Sequence, residues 1–181
     1  MIKRGLQIVI ALVVVCLYAC TSDEVTETVM NERINLPLET GKNIYVTYTD
    51  SGYTKAKLFA PLLERYSNDE RQETVMQKGI TAYFYERNHT VESFLKAKYA
   101  IRYDREKRML ARNDVVLVSR KGDTLNTEEL IWDEVKQKIY SDKFVRITTK
   151  DEIIMGDGFE SNTEFTNYKI YSIRGVISLK K

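Results

Sequence analysis

Cysteine is almost missing from these 181 residues: there are two, Cys16 and Cys20, both within the first twenty positions. A disulfide framework is excluded for the rest of the chain, and so is the clustered thiolate set of a structural zinc site. Histidine is scarcer still. The single copy, His89, follows Asn88 in a turn-like stretch, and one imidazole with no cysteine or second histidine makes a poor metal site. Two prolines and eight glycines leave little material for a Pro-rich linker or a Gly-rich phosphate loop. There is no Gly-x-Ser-x-Gly elbow and no nucleophile with a matched base. The densest carboxylates, Glu128, Glu129, Asp133 and Glu134, fall in turns or on the polar side of alternating runs, and read as solvated surface rather than a general acid and base. No catalytic residue, metal ligand or cofactor is expected, and the chain does not read as an enzyme.

Excess charge of one sign is missing too. The 28 basic residues fall to 26 if Lys3 and Arg4 leave with a leader, matching the 26 acidic ones. A balanced chain argues against a nucleic-acid partner.

What is present starts with Lys3 and Arg4, followed by an apolar run from Leu6 to Ala19 that ends Leu17-Tyr18-Ala19-Cys20. A charged start, a short apolar stretch and a small residue before the break describe a secretory signal over residues 1–19. Leu-Tyr-Ala-Cys resembles a bacterial lipobox, with Cys20 lipidated as the first mature residue. The alternative is an uncleaved single transmembrane helix, for which a run of this length is short of the ~18–20 residues required. Residues 20–42 are polar, contain Pro37 and lack an apolar period, so they are expected to form a tether. Residues 43–181 are expected to form one domain with one core.

That domain repeats itself. Aligned on Asp104 and Asp133, 29 residues apart, Tyr103 meets Trp132, Ile101 meets Leu130, Leu110 meets Ile139 and Val116 meets Val145. Upstream, Leu58, Ala60 and Tyr66 fall on Leu95, Ala97 and Tyr103 at an offset of 37. A slip of one residue at Glu128-Glu129 is read as a β-bulge. A period of this size points to an array in which each unit buries its apolar face by stacking on the next. Between turns such as Asp50-Ser51-Gly52, apolar and polar residues alternate at period two, which predicts antiparallel strands throughout. Thr124 to Lys138 has helical spacing in part, but its repeat partner alternates, so strand is expected there. Gly156-Asp157-Gly158 predicts a bend within or beside a strand, and Tyr168 to Leu179 one final strand.

Thr47-Tyr48-Thr49-Asp50-Ser51-Gly52, Lys55-Ala56-Lys57-Leu58-Phe59-Ala60-Pro61-Leu62-Leu63 and Gly122-Asp123-Thr124-Leu125-Asn126-Thr127-Glu128-Glu129-Leu130-Ile131-Trp132-Asp133 resemble the LptC family of lipopolysaccharide export proteins. Ile139 to Ile147 and Gly156 to Phe159 extend the resemblance across roughly Ile44 to Ile177. It departs from the better-known members at the anchor, where they keep a transmembrane helix and this chain has Cys20.

The resemblance implies an all-β fold, a twisted antiparallel β-jellyroll or stacked β meander with an open apolar groove. In that family the groove holds lipopolysaccharide acyl chains. The protein would take the lipid from an inner-membrane ABC transporter and pass it to a periplasmic bridge protein of the LptA type. It would act from the periplasmic face of the inner membrane. Equivalent repeat positions supply the expected lining: Leu58, Phe84, Leu95, Ile101, Leu110, Val116, Leu130, Ile139 and Val145. Val46, Tyr48, Tyr99, Tyr103, Trp132 and Phe159 join it if the aromatic residues face a groove rather than a filled core. The first strand edge (Tyr45, Val46, Thr47) is expected to meet the transporter and the last (Tyr168, Ile170, Tyr171) the bridge protein. The alternative is a non-catalytic structural or adhesive β lipoprotein with a dry, close-packed interior.

Overall fold

The computed structural model describes residues 36–178, and within them every regular element is a strand. In order these are β1 (Glu39–Asp50), β2 (Tyr53–Ser67), β3 (Gln72–Met76), β4 (Ile80–Tyr85), β5 (Val91–Ala97) and β6 (Tyr99–Tyr103). There follow β7 (Arg108–Ser119), β8 (Thr124–Asp133), β9 (Lys138–Thr148), β10 (Glu152–Asn162), β11 (Tyr168–Ile170) and β12 (Ile173–Ser178). The leader and anchor readings at residues 1–20 lie outside the described residues, as does most of the tether. Strand β1 begins at Glu39 and pairs Lys42 with Leu62.

All strands belong to one antiparallel sheet. Its topology is simpler than its strand count suggests, because the short strands come in collinear couples. Both β3 and β4 run along β2, both β5 and β6 along β7, and both β11 and β12 along β10. The chain is thus an up-and-down meander in which nearly every strand is broken once at the same level.

The breaks have local causes. Opposite Pro61, which has no N–H to give a ladder, Asn43 adopts φ 53°. Gly79 (φ 86°) separates β3 from β4. Lys98 separates β5 from β6, and its N–H donates to the Asn113 carbonyl at 3.0 Å. Asn113 and Asp114 are both left-handed, the pairing of β8 with β9 lapses between Thr127 and Ile131, and Gly158 (φ 84°) interrupts β10. The bulge expected at Glu128-Glu129 lies at one of these breaks, and the expected bend at Gly156 to Gly158 lies within β10. The expected final strand is split at Tyr171-Ser172 by the same line, with Ser172 at φ 45°.

The breaks align into a crease, and the sheet folds along it into two layers. The first contains the start of β2, β4, β5, the end of β7 and β12; the second contains the end of β2, β3, β6, the start of β7 and β11. Ala60, Ala97, Ala100 and Ala111 flank the crease, all nearly inaccessible, and their small size lets the layers close at that edge. Beyond them Leu117, Leu125, Val145, Ile147 and Phe159 join Leu130 and Ile139 in one core drawn from both layers. Each such aliphatic side chain contributes about 1.5–3 kcal/mol by leaving water.

A second apolar cluster, Tyr66, Val75, Ile101 and Leu110, lies on the outer face of the second layer with Tyr99, Tyr103 and Ile131 against it. This corrects the expected register. Ile101 pairs with Leu110 and Leu110 with Ile131, whereas Ala100, Ala111 and Leu130 form the neighbouring row. Lys98 is the reason: like Glu128, it is an extra residue that reverses the facing of everything after it. Between these two copies the structural repeat is therefore 30 residues. The left-handed turn residues Lys107 and Gln137 (137 − 107 = 30) mark it, and the alignment on Asp104 and Asp133 is one residue out.

Candidate functional site

Away from the crease the two layers diverge and leave an open cavity of about 280 Å³. The first layer contributes Ala56, Ile80, Ala82, Phe84, Leu95 and Leu117 to its walls. Met109, Ala111, Leu130, Trp132 and Ile139 come from the second. The polar part of the lining comes from the hairpin ends of both layers: Asp50, Lys55 and Glu92 on one side, Glu134, Gln137 and Glu164 on the other. The site is thus an apolar trough, closed along the crease and rimmed with charge at its mouth.

The rim is mostly acidic. Burial, followed by the nearby Glu164 and Glu86 carboxylates, pushes the Glu92 carboxyl above its ordinary range. Glu134 is held by Arg102 at 3.1 Å, and Arg102 also contacts Asp104 at 3.1 Å, which fixes the rim on the second layer. Inside, the Trp132 Nε1–H is buried without a hydrogen-bond partner, as is the Ser93 hydroxyl. Among the described residues no group of histidine, cysteine and carboxylate side chains could hold a metal ion.

Of the expected lining, Tyr48, Phe84, Leu95, Leu130, Trp132 and Ile139 border the cavity. Leu58, Val145 and Phe159 belong to the core beneath it, and Val46 pairs with Leu58 on the same face. The structure does not bring the other five there. Tyr99, Ile101, Tyr103 and Leu110 lie on the outer side of the second layer. Val116 lies on the outer side of the first, because Val115 and Leu117 are the buried residues of that strand. Met109, Ala111, Ile80 and Ala82 were not singled out as lining. For Met109 and Ala111 the signal was there, since they alternate with Leu110, and a repeat of 30 would have selected them.

Among the described residues both expected edges are strands with one unpaired side: β1 bonds only to β2, and β11 and β12 only to β10. At the carboxyl-terminal edge the Tyr171 N–H donates to the Gly158 carbonyl at 2.9 Å, next to the Phe159–Ile170 pair. In an antiparallel ladder this makes Phe159–Ile170 a non-hydrogen-bonded pair, so the Ile170 N–H and C=O point off the sheet.

An antiparallel sheet creased into a two-layered jellyroll, open at both ends and along one side over an apolar trough, defines a class of non-closing β proteins. Within that class, the profile of the family described as lipopolysaccharide-assembly, LptC-related, matches residues 6–178, and the chain belongs to that family. The family is a non-enzymatic component of lipopolysaccharide transport, periplasmic and associated with the inner membrane. A comparison with curated proteins gives no match. Among the described residues no helix is long and apolar enough to cross a membrane.

Proposed function

We propose that the trough between the layers carries the acyl chains of lipopolysaccharide, entering from an inner-membrane ABC transporter at the β1 edge and leaving to a periplasmic bridge protein at the β11–β12 edge. The observation that carries this reading is the cavity of about 280 Å³, apolar within and open at its mouth, in a chain of this family. A display protein has no use for such a space, and close packing would have filled it.

The test is to fill the trough. Ala56→Leu adds bulk to a half-buried wall residue that borders the cavity. It is expected to reduce lipopolysaccharide copurification in detergent severalfold while the emission of the only tryptophan, Trp132, stays native-like. Undiminished copurification with native emission would overturn the reading. The anchor is proposed to be a lipid on Cys20. Cys20→Ser is then expected to retain the leader and give a larger product by mass spectrometry, and an intact Met1 on the wild-type protein would favour the transmembrane helix instead.

A further inference from the structure

The outer face of the first layer differs from that of the second in its charge. One cross-strand row begins at Tyr45 and Phe59, passes through Lys96 and Val116, and ends at Met155 and Gly175. The adjacent row on the same face begins at Thr47 and Lys57, passes through Tyr83 and Phe94, and ends at Ile153 and Ile177. Neither row contains a carboxylate. Their cations, Lys57, Lys96 and Arg146, are exposed, and among the described residues none of the three forms an ion pair. The second layer's outer face is the contrast: Arg71 pairs with Glu73, and Arg112 with Glu129 at 2.7 Å.

Aromatic rings occupy the β1 to β5 end of this face. Tyr45 stacks on Phe59 with centroids 4.9 Å apart, Tyr83 lies 6.0 Å from Phe94, and Tyr45 is 79% exposed. An exposed apolar patch with unpaired cations and no carboxylate is unusual for a face that meets only water. Tyrosine presents an apolar body and a polar tip, which suits the headgroup level of a bilayer. Lysine and arginine can lay their stems on the patch and turn their charges towards lipid phosphates.

We propose that this face, around Lys57, Tyr83, Phe94 and Lys96, docks on an anionic bilayer surface. The lipid proposed on Cys20 would hold the same chain at a membrane. This contact is distinct from lipid carriage in the trough, and it uses the opposite side of the first layer.

The experiment uses the full chain reconstituted into vesicles, with the photo-crosslinker p-benzoylphenylalanine at Tyr83 or, on the outer face of the other layer, at Tyr103. Vesicles are phosphatidylcholine alone or with about one third phosphatidylglycerol, a composition chosen to set the surface charge. Lipid adducts are expected from position 83 and not from 103, and to be much more abundant on the anionic vesicles. Lys96→Glu with Arg146→Glu is expected to lower the yield at 83 by at least about tenfold, two cations each being worth about fivefold near an anionic surface. Circular dichroism confirms that the variant is folded. Equal lipid yields from the two positions, a yield indifferent to vesicle charge and to the double substitution, or adducts to a second copy of the chain in place of lipid would each overturn the proposal.

Discussion

At the residue scale, the mouth of the trough is a sensitive point, because the surroundings of Glu92 disfavour its charged form. Its folded pKa lies above the unfolded value, with burial the first cause and Glu164 and Glu86 behind it. A group shifted upward contributes favourably below its unfolded pKa, about 4.3 for glutamate, and that contribution is lost as pH rises through the folded value. Ionisation of Glu92 therefore works against the folded state. Glu92→Gln is expected to raise the thermal midpoint at pH 7, with the gain shrinking to nothing below about pH 4. Calorimetry across that range checks it, and a gain that persists in acid would remove electrostatics as the cause. Arg102 sets the limit on such changes nearby, since its bonds to Asp104 and Glu134 satisfy charges that would otherwise crowd the same rim.

At the scale of the element, everything turns on the crease. A tight point in it is Gly156 on β10, where an added Cβ would lie 2.6 Å from Ile170 Cγ2 and 2.7 Å from the Tyr171 carbonyl oxygen. Gly156→Ala is expected to cost about 1–3 kcal/mol in urea unfolding, because the last strands must move off the sheet. Faster amide exchange at Tyr171 would locate the loss at that edge. The strands themselves could be read from alternation, and so could the Glu128 break, since Leu125 and Thr127 visibly fall out of phase with Leu130. Lys98 hid the equivalent break. Leu95, Ala97, Tyr99, Ile101 and Tyr103 alternate without a flaw, and a one-residue extension in their midst leaves no trace in hydropathy. The second layer is apolar on both faces, with Ala100 and Ala111 inside and Ile101 and Leu110 outside. A strand with two apolar faces cannot report which one is the interior, so the lining was drawn partly from the wrong side.

At the scale of the whole molecule, the two ends of the sheet carry the consequences of its not closing. The Ile170 N–H points away from β10, so a proline there spares the existing ladder and removes only an outward donor. Ile170→Pro is expected to leave folding and lipid copurification largely intact and to abolish capture of the bridge protein, read by crosslinking from Tyr171. Crosslinking from Tyr45 is expected to find the transporter instead; the same partner at both ends would sink the end-to-end arrangement. The 30-residue repeat, marked by Lys107 and Gln137, adds a consequence of another kind. Each unit supplies two strands and no new type of contact, so inserting one lengthens the sheet by about 10 Å along its stacking direction. The molecule is graduated like a ruler, and the distance it spans can be reset by whole copies of one sentence in its sequence, with the ends left as they are.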